Sequence, residues 1–249
     1  MCRLLGFVSQ SKISFREIVG EDLDHFVSLS HEHPDGWGIA AAERETQLLS
    51  CVRAAEIAAE SSTFAKALQE CVSDGALLHL RRATGSLAVV DSNAHPFVCD
   101  QYTFMHNGCI TPTTAVDGFI APDLLTKISG TTDSERYFML VLTEIRKVGL
   151  VPGIRAAIAT IASTAHSYSS INAMMLTADT FVVISEHFPH KRPACESDDY
   201  YTLRFRRDEN GGIVVGSSGW HQDGWETVPN NTIMLVNRST LAIELHSVF

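Results

Sequence analysis

The second residue of the chain is a cysteine, in the opening segment MCRLLG. Cys2 is small enough for Met1 to be removed, so we expect the mature chain to begin with Cys2. A thiol with its ordinary pKa of about 8.5 is only slightly ionised at neutral pH. A free α-amine, with a pKa of about 7.7–8.0, can accept the thiol proton. Cys2 would then supply both a nucleophile and its base; the alternative is a cysteine that only packs at the start of a strand.

A second candidate for chemistry is the segment MHNG at residues 105–108. The side-chain amide of Asn107 and the backbone N–H of Gly108 can together form an oxyanion hole. Because Gly108 has no side chain, a substrate could approach the backbone closely there. Asn-Gly is also the most favourable pair for a two-residue hairpin turn, and that alternative remains open.

Two charged residues stand at the ends of expected elements. Arg81 ends the apolar segment ALLHLRR, and a guanidinium group there suits bidentate binding of a carboxylate. Asp133 lies in the first turn of an expected helix, where it could bind an ammonium group. Each has a structural alternative: a salt bridge for Arg81, and a favourable interaction with the helix dipole for Asp133.

The histidines do not form HExxH or another compact metal-binding pattern, so we expect no metal site. His95, in NAHPF, and His106 are expected to hydrogen-bond loops near a site. Trp37, in HPDGWG, is expected to form a wall of that site. The chain has no Walker loop and no GxGxxG segment, and we expect no cofactor.

Composition narrows the functional classes. The 249 residues include 19 basic and 29 acidic residues, for a net charge of −10, which argues against a nucleic-acid or anionic-membrane surface. No apolar run reaches the roughly 18 residues of a membrane span, and the N-terminus does not resemble a signal peptide. Six irregularly spaced cysteines are expected to be free thiols. These features predict a cytoplasmic protein.

The apolar pattern predicts mostly strands, several of them in hairpins, one turning near residues 178–180 and one at 210–212. Helices are expected within 56–72, within 131–149 and within 151–165. The second helix has a predicted capping box from Thr132 to Glu135. Residues 187–199, with two prolines and a charge cluster, predict a surface loop. This order of elements suggests packed sheets covered by helices.

Taken in order, the segments MCRLLG, HPDGWG, HLRRATG, NAHPF, MHNG and GTTDSE resemble class II glutamine amidotransferases, the N-terminal-nucleophile hydrolases whose nucleophile is cysteine. The likeness is greatest to stand-alone γ-glutamyl hydrolases of ergothioneine biosynthesis and glutathione degradation. It covers residues 1–140 with specific motifs and 217–236 more loosely. The resemblance implies an α+β fold, a four-layer αββα sandwich, formed by a single domain over residues 1–249.

The resemblance also implies roles for individual residues. Cys2 would attack the γ-carbonyl of a glutamyl group, with its own α-amine as the base. Asn107 and Gly108 would hold the oxyanion. Arg81 would pair with the α-carboxylate of the substrate, and Asp133 with its α-ammonium.

The arginine motif departs from the pattern RWATHG of the large synthases, because here RRATG is followed by Ser86. Arg82 stands where those enzymes have Trp, and Gly85 where they have His, so the glutamate pocket would differ in shape. Thr84 would help to line this pocket. The PDGWG loop, residues 34–38, would pack beside the strand that carries the nucleophile.

The expected function is hydrolysis of glutamine or another γ-glutamyl amide through a cysteine thioester. The expected partner is therefore a small γ-glutamyl substrate. One alternative is a glutaminase subunit that supplies ammonia to a separate synthase. Another is a catalytically silent sensor or regulatory subunit that binds a glutamyl ligand, although the intact set of motif residues argues against silence.

Overall fold

Two antiparallel β-sheets form the centre of the computed structural model, which describes residues 2–85 and 87–249. Met1, whose removal the sequence predicts, and Ser86, which follows the altered arginine motif, lie outside the described residues. The strands in chain order are β1 (Arg3–Ser14), β2 (Trp37–Ala42), β3 (Leu49–Ala54), β4 (Val72–Leu80), β5 (Phe97–Cys99), β6 (Tyr102–Thr111), β7 (Ser167–Leu176), β8 (Thr180–Ser185), β9 (Leu203–Arg207), β10 (Ile213–Ser217), β11 (Glu226–Thr227), β12 (Thr232–Asn237) and β13 (Ile243–Ser247).

One sheet has 7 strands in the order β11-β9-β10-β1-β4-β2-β3, and the other has 6 in the order β13-β12-β8-β7-β6-β5. Among the described residues, no helix is both long and apolar enough to cross a lipid bilayer. The α-helices are α1 (Phe15–Val19), α2 (Asp22–Ser28), α3 (Ser62–Glu70), α4 (Pro122–Leu125), α5 (Asp133–Val148) and α6 (Leu150–Thr164).

Three apolar clusters separate the four layers. The first lies between the seven-stranded sheet and α1–α3, and it includes Phe7, Phe26 and Phe64. The second lies between the two sheets, and the third packs the six-stranded sheet against α5 and α6. The predicted αββα sandwich is therefore confirmed, with helices on both outer faces.

Strand alternation determines which layer each side chain enters. In β1, Leu4 points between the sheets, whereas Leu5 points toward the outer helices. At Gly6, a Cβ would lie 2.9 Å from Leu77 and 3.0 Å from Phe181, so the opposing sheet approaches the backbone closely there. The same alternation, continued to the strand ends, places the candidate site residues.

The helices differ from the sequence prediction in three places. Helix α3 begins only at Ser62, because Ser61 caps it by accepting a hydrogen bond from the backbone N–H of Phe64. Helices α1, α2 and α4 were not predicted, since none of them spans more than 7 residues. At α5, Thr132 caps Glu135 as predicted, but the Glu135 carboxylate accepts from the N–H groups of residues 129 and 130 instead of closing the capping box.

Two predicted hairpins are confirmed. Strands β7 and β8 pair across residues 177–179, and β9 and β10 pair across 208–212. Residues 187–199 are irregular apart from a short 3₁₀ turn, Pro189–Lys191, as the prolines and charges predicted.

A buried ion pair connects the two sheets at the end of the sandwich away from the first residues of β1. Arg238 follows β12 and Asp74 lies in β4; their side chains are 1% and 9% exposed, and the Arg238 Nη2 to Asp74 Oδ1 distance is 2.8 Å. The guanidinium also donates to the carbonyl oxygens of Thr177 and Ala42. Arg238 thus joins backbone turns of both sheets and fixes how they pack at this end.

We expect Arg238→Met to lower the free energy of unfolding by about 3 kcal/mol, the low end for a broken buried ion pair, because Asp74 keeps its contacts with Arg44, whose Nε is 3.9 Å away. Urea unfolding measures this loss. Arg146→Met is the control. The Arg146 side chain is 44% exposed, and ion pairs of exposed side chains contribute about 1 kcal/mol or less. Equal losses in both variants would contradict the role assigned to Arg238.

Candidate active site

Cys2 lies directly before β1 and points into the space between the sheets. Alternation sets this direction, since Leu4, two residues further on, belongs to the cluster between the sheets. Cys2 is 8% exposed, and its thiol donates to the carbonyl oxygen of Arg82 at 3.7 Å. Burial raises the pKa of the Cys2 thiol, and the nearby charge of Arg81 opposes this rise. The resting thiol is therefore protonated at neutral pH and requires a base.

Arg81 continues β4 and lies beside Cys2. In the antiparallel pairing of β1 with β4, Arg3 is opposite Leu80, so the register continued by one residue sets Cys2 opposite Arg81. The Arg81 side chain is 2% exposed and donates to the carbonyl oxygens of Asp35 and Ala88. Within the described residues, no carboxylate forms an ion pair with it. A buried guanidinium without a counter-ion is suited to bind an anion.

The PDGWG loop holds the Arg81 segment in place. Arg81 N–H donates to the carbonyl oxygen of Gly36 at 2.7 Å, and the Asp35 carboxylate accepts from Ala83 N–H at 2.7 Å. The strand that follows the loop, β2, pairs with β4 and not with β1. The loop therefore packs one strand away from the nucleophile strand, which corrects the predicted neighbour.

Asp133 is the first residue of α5 and is attached to β6. Its Oδ2 atom accepts from the backbone N–H of Ile110 at 2.6 Å, and the residue is 5% exposed. No ion pair to Asp133 occurs within residues 2–85 and 87–249. Burial is the main cause of the raised pKa of the Cys2 thiol, and the negative charge of Asp133 adds a smaller contribution. Two buried opposite charges, Arg81 and Asp133, thus lie within electrostatic range of the thiol.

Asn107 and Gly108 lie inside β6, so this Asn-Gly pair is not a hairpin turn. Asn107 points between the sheets, like Met105 two residues before it, and is fully buried. Neither its amide oxygen nor its amide nitrogen has a partner among the described residues. An unpaired buried polar group costs roughly 1–3 kcal/mol, and function commonly explains such a cost.

Gly108 admits no side chain. A Cβ there would lie 1.8 Å from the carbonyl oxygen of Ser170 and 2.6 Å from His106 Nε2. Immediately after it, the pairing of β6 with β7 shifts between Gly108 and Ile110. Such an irregularity redirects local backbone groups and often occurs next to active sites.

Three further histidines with unpaired ring nitrogens are buried near this group. His79, two residues before Arg81 on the same face of β4, stacks on His95 with ring centroids 4.1 Å apart. Both nitrogens of His33, His79 and His95 lack hydrogen-bond partners in the described chain, so the predicted hydrogen bonds from His95 to nearby loops are wrong. Burial lowers the pKa of His33 to about 2 and that of His79 to about 3, and it holds the pKa of His95 well below the usual value. All three are therefore neutral.

Three predicted site residues are placed elsewhere. Trp37 points toward the outer helices, where its ring packs edge-on against Phe64 at 5.2 Å, so it does not form the predicted wall. His106 also points away from the space between the sheets, toward α5, because its neighbour Asn107 points inward. Thr84 lies on an exposed loop after β4, outside the buried group. The described residues hold no cluster of three or more metal-ligating side chains.

Comparison with known proteins explains this arrangement. The family model described as glutamine amidotransferases class-II matches residues 1–244. The chain belongs to this family. In this class II glutamine amidotransferase, the segments that contain Cys2, Arg81 and Asn107 meet at one end of the sandwich.

Two known proteins are similar to this chain over most of its length. The probable glutamine amidotransferase DUG3 of Saccharomyces cerevisiae is 24% identical, over 98% of this chain and 84% of the relative. An uncharacterized protein of Methanocaldococcus jannaschii, MJ1515, is 24% identical, over 94% of this chain and 69% of that protein.

Solved structures share the fold. A glutamine aminotransferase class-II domain protein from Silicibacter pomeroyi superposes with a TM-score of 0.72 at 19% identity, covering 100% of both chains. The glutamine phosphoribosylpyrophosphate amidotransferase of Bacillus subtilis gives 0.63 at 16% identity, with 100% of this chain but only 49% of that chain covered. This amidotransferase thus spans about half the length of the second structure.

Sequence reasoning missed two residues that shape the site of this amidotransferase. His79 could have been found from alternation, since it shares the face of Arg81 in the strand ALLHLRR. Gly38 is required because a Cβ there would lie 2.0 Å from the carbonyl oxygen of His95. A glycine inside the strand GWGIAAA is the corresponding signal of a close backbone approach.

Because the buried histidines are neutral in the folded protein, its stability should depend on pH. The pKa of His79 falls from its usual 6.5 to about 3 on folding, so below pH 6.5 the unfolded chain binds a proton that the folded chain does not. The free energy of unfolding should therefore decrease as the pH is lowered. Between pH 7 and pH 5, His79 alone should account for a decrease of about 2 kcal/mol. Urea unfolding at pH 7 and pH 5 measures this fall.

His79→Asn should reduce this loss of stability between pH 7 and pH 5. His221→Asn is the control, because the side chain of His221 is 87% exposed. A His79 variant with the same pH dependence as the wild type would show that His79 is not held neutral.

Proposed function

We propose that the protein is a γ-glutamyl amidohydrolase that acts through a thioester on Cys2. The observation that carries this proposal is the pair of buried, opposite charges near the thiol, Arg81 and Asp133, neither in an ion pair within the described residues. A free amino-acid head group carries the complementary pair, an α-carboxylate and an α-ammonium. Glutamine and γ-glutamyl amides combine this head group with a γ-amide that a thiol can attack.

In the first half-reaction, the α-amine of a mature N-terminal Cys2 accepts the thiol proton, and Sγ attacks the γ-carbonyl carbon. The carbonyl π electrons move to the oxygen, and Asn107 and Gly108 donate hydrogen bonds to the resulting oxyanion. The unpaired Asn107 amide suits this role, because its donors are already desolvated and in place. Collapse re-forms the carbonyl and breaks the C–N bond, and the leaving amine takes the proton from the Cys2 ammonium.

In the second half-reaction, water attacks the glutamyl thioester while the α-amine accepts one of its protons. The same oxyanion hole holds the second tetrahedral intermediate. When the C–S bond breaks, the thiolate regains the proton from the ammonium, and glutamate is released. Six cysteines without disulfides support a reducing, cytoplasmic location for this thiol chemistry.

Cys2→Ala should abolish hydrolysis of a γ-glutamyl anilide, because the variant has no nucleophile. A glutamine-analogue electrophile should add to one site of the wild type, as intact-mass analysis shows, and should not add to the variant. Cys71→Ala is the matched control, since Cys71 is also 8% exposed but packs under α3. A wild type that binds glutamate but neither hydrolyses nor reacts would instead be a silent sensor.

Asn107→Ala should lower kcat more than it raises KM, because the amide binds charge that exists only in the tetrahedral intermediates. Removing one oxyanion-hole donor typically costs about 2.7–4 kcal/mol, or ~10²–10³ in rate. Steady-state kinetics check this. Thr103→Val on the same face of β6, whose hydroxyl also lacks a partner in the described structure, should leave kcat unchanged. An unchanged kcat in Asn107→Ala would remove the residue from the mechanism.

Arg81 and Asp133, which together we call the head-group clamp, should select substrates that carry both a free α-carboxylate and a free α-ammonium. N-acetylation or α-carboxamide formation on γ-glutamyl anilide should lower kcat/KM by orders of magnitude, because each leaves a buried protein charge unpaired. Arg81→Lys should also be impaired, since an ammonium cannot reproduce the bidentate contact. Comparing the three compounds on wild type tests the clamp; similar rates for all three would return Arg81 and Asp133 to structural roles.

A further inference from the structure

His106 connects the strand that carries Asn107 to the helix that carries Asp133. It is 1% exposed, and both of its ring nitrogens have partners. Nδ1 lies 2.9 Å from the hydroxyl oxygen of Ser134, and Nε2 lies 3.2 Å from the backbone carbonyl oxygen of Ser170. The two contacts tie β6 to the first turn of α5 on one side and to β7 on the other.

The partners determine the tautomer of His106. A carbonyl oxygen only accepts hydrogen bonds, so Nε2 must carry the hydrogen that it donates to Ser170. Burial lowers the pKa of His106, and the ring is therefore neutral with a bare Nδ1. Nδ1 then accepts the hydroxyl hydrogen of Ser134.

This assignment leaves one oxygen of Asp133 available. A serine hydroxyl has a single hydrogen, and the hydrogen of Ser134 is committed to His106. The Ser134 hydroxyl is also 3.5 Å from Asp133 Oδ1 and could donate there instead, but this contact is longer than the one to His106 Nδ1, at 2.9 Å. Oδ2 of Asp133 is occupied by Ile110 N–H. Among the described residues, the Ser134 hydroxyl is consequently the donor that competes for Oδ1, and His106 holds its hydrogen.

We propose that His106 is a positioning residue that holds the Ser134 hydroxyl away from Asp133 and so reserves Oδ1 for the α-ammonium of the substrate. This inference rests on the proposed function, because it assigns the ammonium site of the same reaction. His106 acts through Ser134 and touches no reacting atom. Its loss should therefore affect recognition of the α-amine and not the acyl-transfer steps.

Two amide substitutions separate the nitrogens of His106. Gln can reproduce the N–H donor at Nε2 toward Ser170 but leaves no acceptor at Nδ1. Asn can reproduce the Nδ1 acceptor toward Ser134 but does not reach Ser170. Since His106→Gln frees the Ser134 hydroxyl to donate to Asp133, it should raise KM for γ-glutamyl anilide by about tenfold with little change in kcat. His106→Asn should keep the wild-type KM.

A double variant tests whether the effect passes through Ser134. Ser134→Ala removes the competing hydroxyl, so it should have a near-wild-type KM alone and should restore KM when combined with His106→Gln. Glutaryl anilide, which lacks the α-amine, is the matched substrate, and its KM should be the same in wild type and His106→Gln. Tyr137→Phe, which changes another buried contact of α5 beside His106, is the control for helix packing.

The outcomes are distinct. Similar KM values for His106→Gln and His106→Asn, or no rescue by Ser134→Ala, would overturn the positioning role while wild-type hydrolysis still supports the proposed function. Wild type that hydrolyses neither anilide would overturn the proposed function and this inference together. If His106→Gln is too unstable for kinetics, thermal unfolding provides the second test. L-glutamate should stabilise His106→Asn more than glutarate does, to the same extent as in the wild type, and loss of this difference would overturn the positioning role.

Discussion

The register between β1 and β4 is the constraint on which the candidate site depends. Because strand side chains alternate with a period of two, this register places Cys2 and Arg81 opposite each other on the face between the sheets. A slip of one residue would send one of them into the cluster of Phe7 and Leu78, beneath the outer helices. Both strands are central in the seven-stranded sheet, and each is paired on both sides, so such a slip would disrupt three strand pairings at once.

The two ends of the sandwich differ in how their buried polar groups are satisfied. At one end, Arg238 and Asp74 neutralise each other, and backbone carbonyls accept hydrogen bonds from both terminal nitrogens of the guanidinium. At the other end, the amide of Asn107 and the rings of His79 and His95 are unpartnered within the described chain. The buried ion pair thus lies where no chemistry is proposed, whereas the amide of Asn107, wholly unpaired among the described residues, lies in the candidate site. Such a division is expected when a rigid scaffold supports a reactive site.

Much of the arrangement could be predicted from the sequence. The motif order indicated the family and, through it, the αββα layers, because motifs such as MCRLLG and MHNG are specific in combination. Alternation of apolar residues located the main strands. The ends of elements were less predictable: α3 begins at Ser62 because a serine cap, not the apolar pattern, determines its start.

The site was only partly predictable, for a geometric reason. Motifs identify which residues cluster but not which face of a strand they occupy. Trp37 and His106 both belong to the right segments, yet each points to an outer helix layer. Whether Asp133 Oδ1 can accept a hydrogen bond from a ligand depends on where the Ser134 hydroxyl hydrogen points. The three-dimensional contacts of Ser134 reveal this, and the sequence does not. The close approach of the His95 carbonyl to Gly38 likewise joins segments that are distant in the chain.

The central position of β1 also affects when, during protein synthesis, the surroundings of the Cys2 thiol can form. Its hydrogen-bonded neighbours are β4, roughly seventy residues later, and β10 (Ile213–Ser217), roughly two hundred residues later. Pairings of such long sequence separation form late, since the intervening chain must first be brought together. Cys2 is therefore synthesised well before the strands that surround it are available to pair. The growing polypeptide carries an ordinary cysteine until β4 and β10 have joined β1 in the sheet.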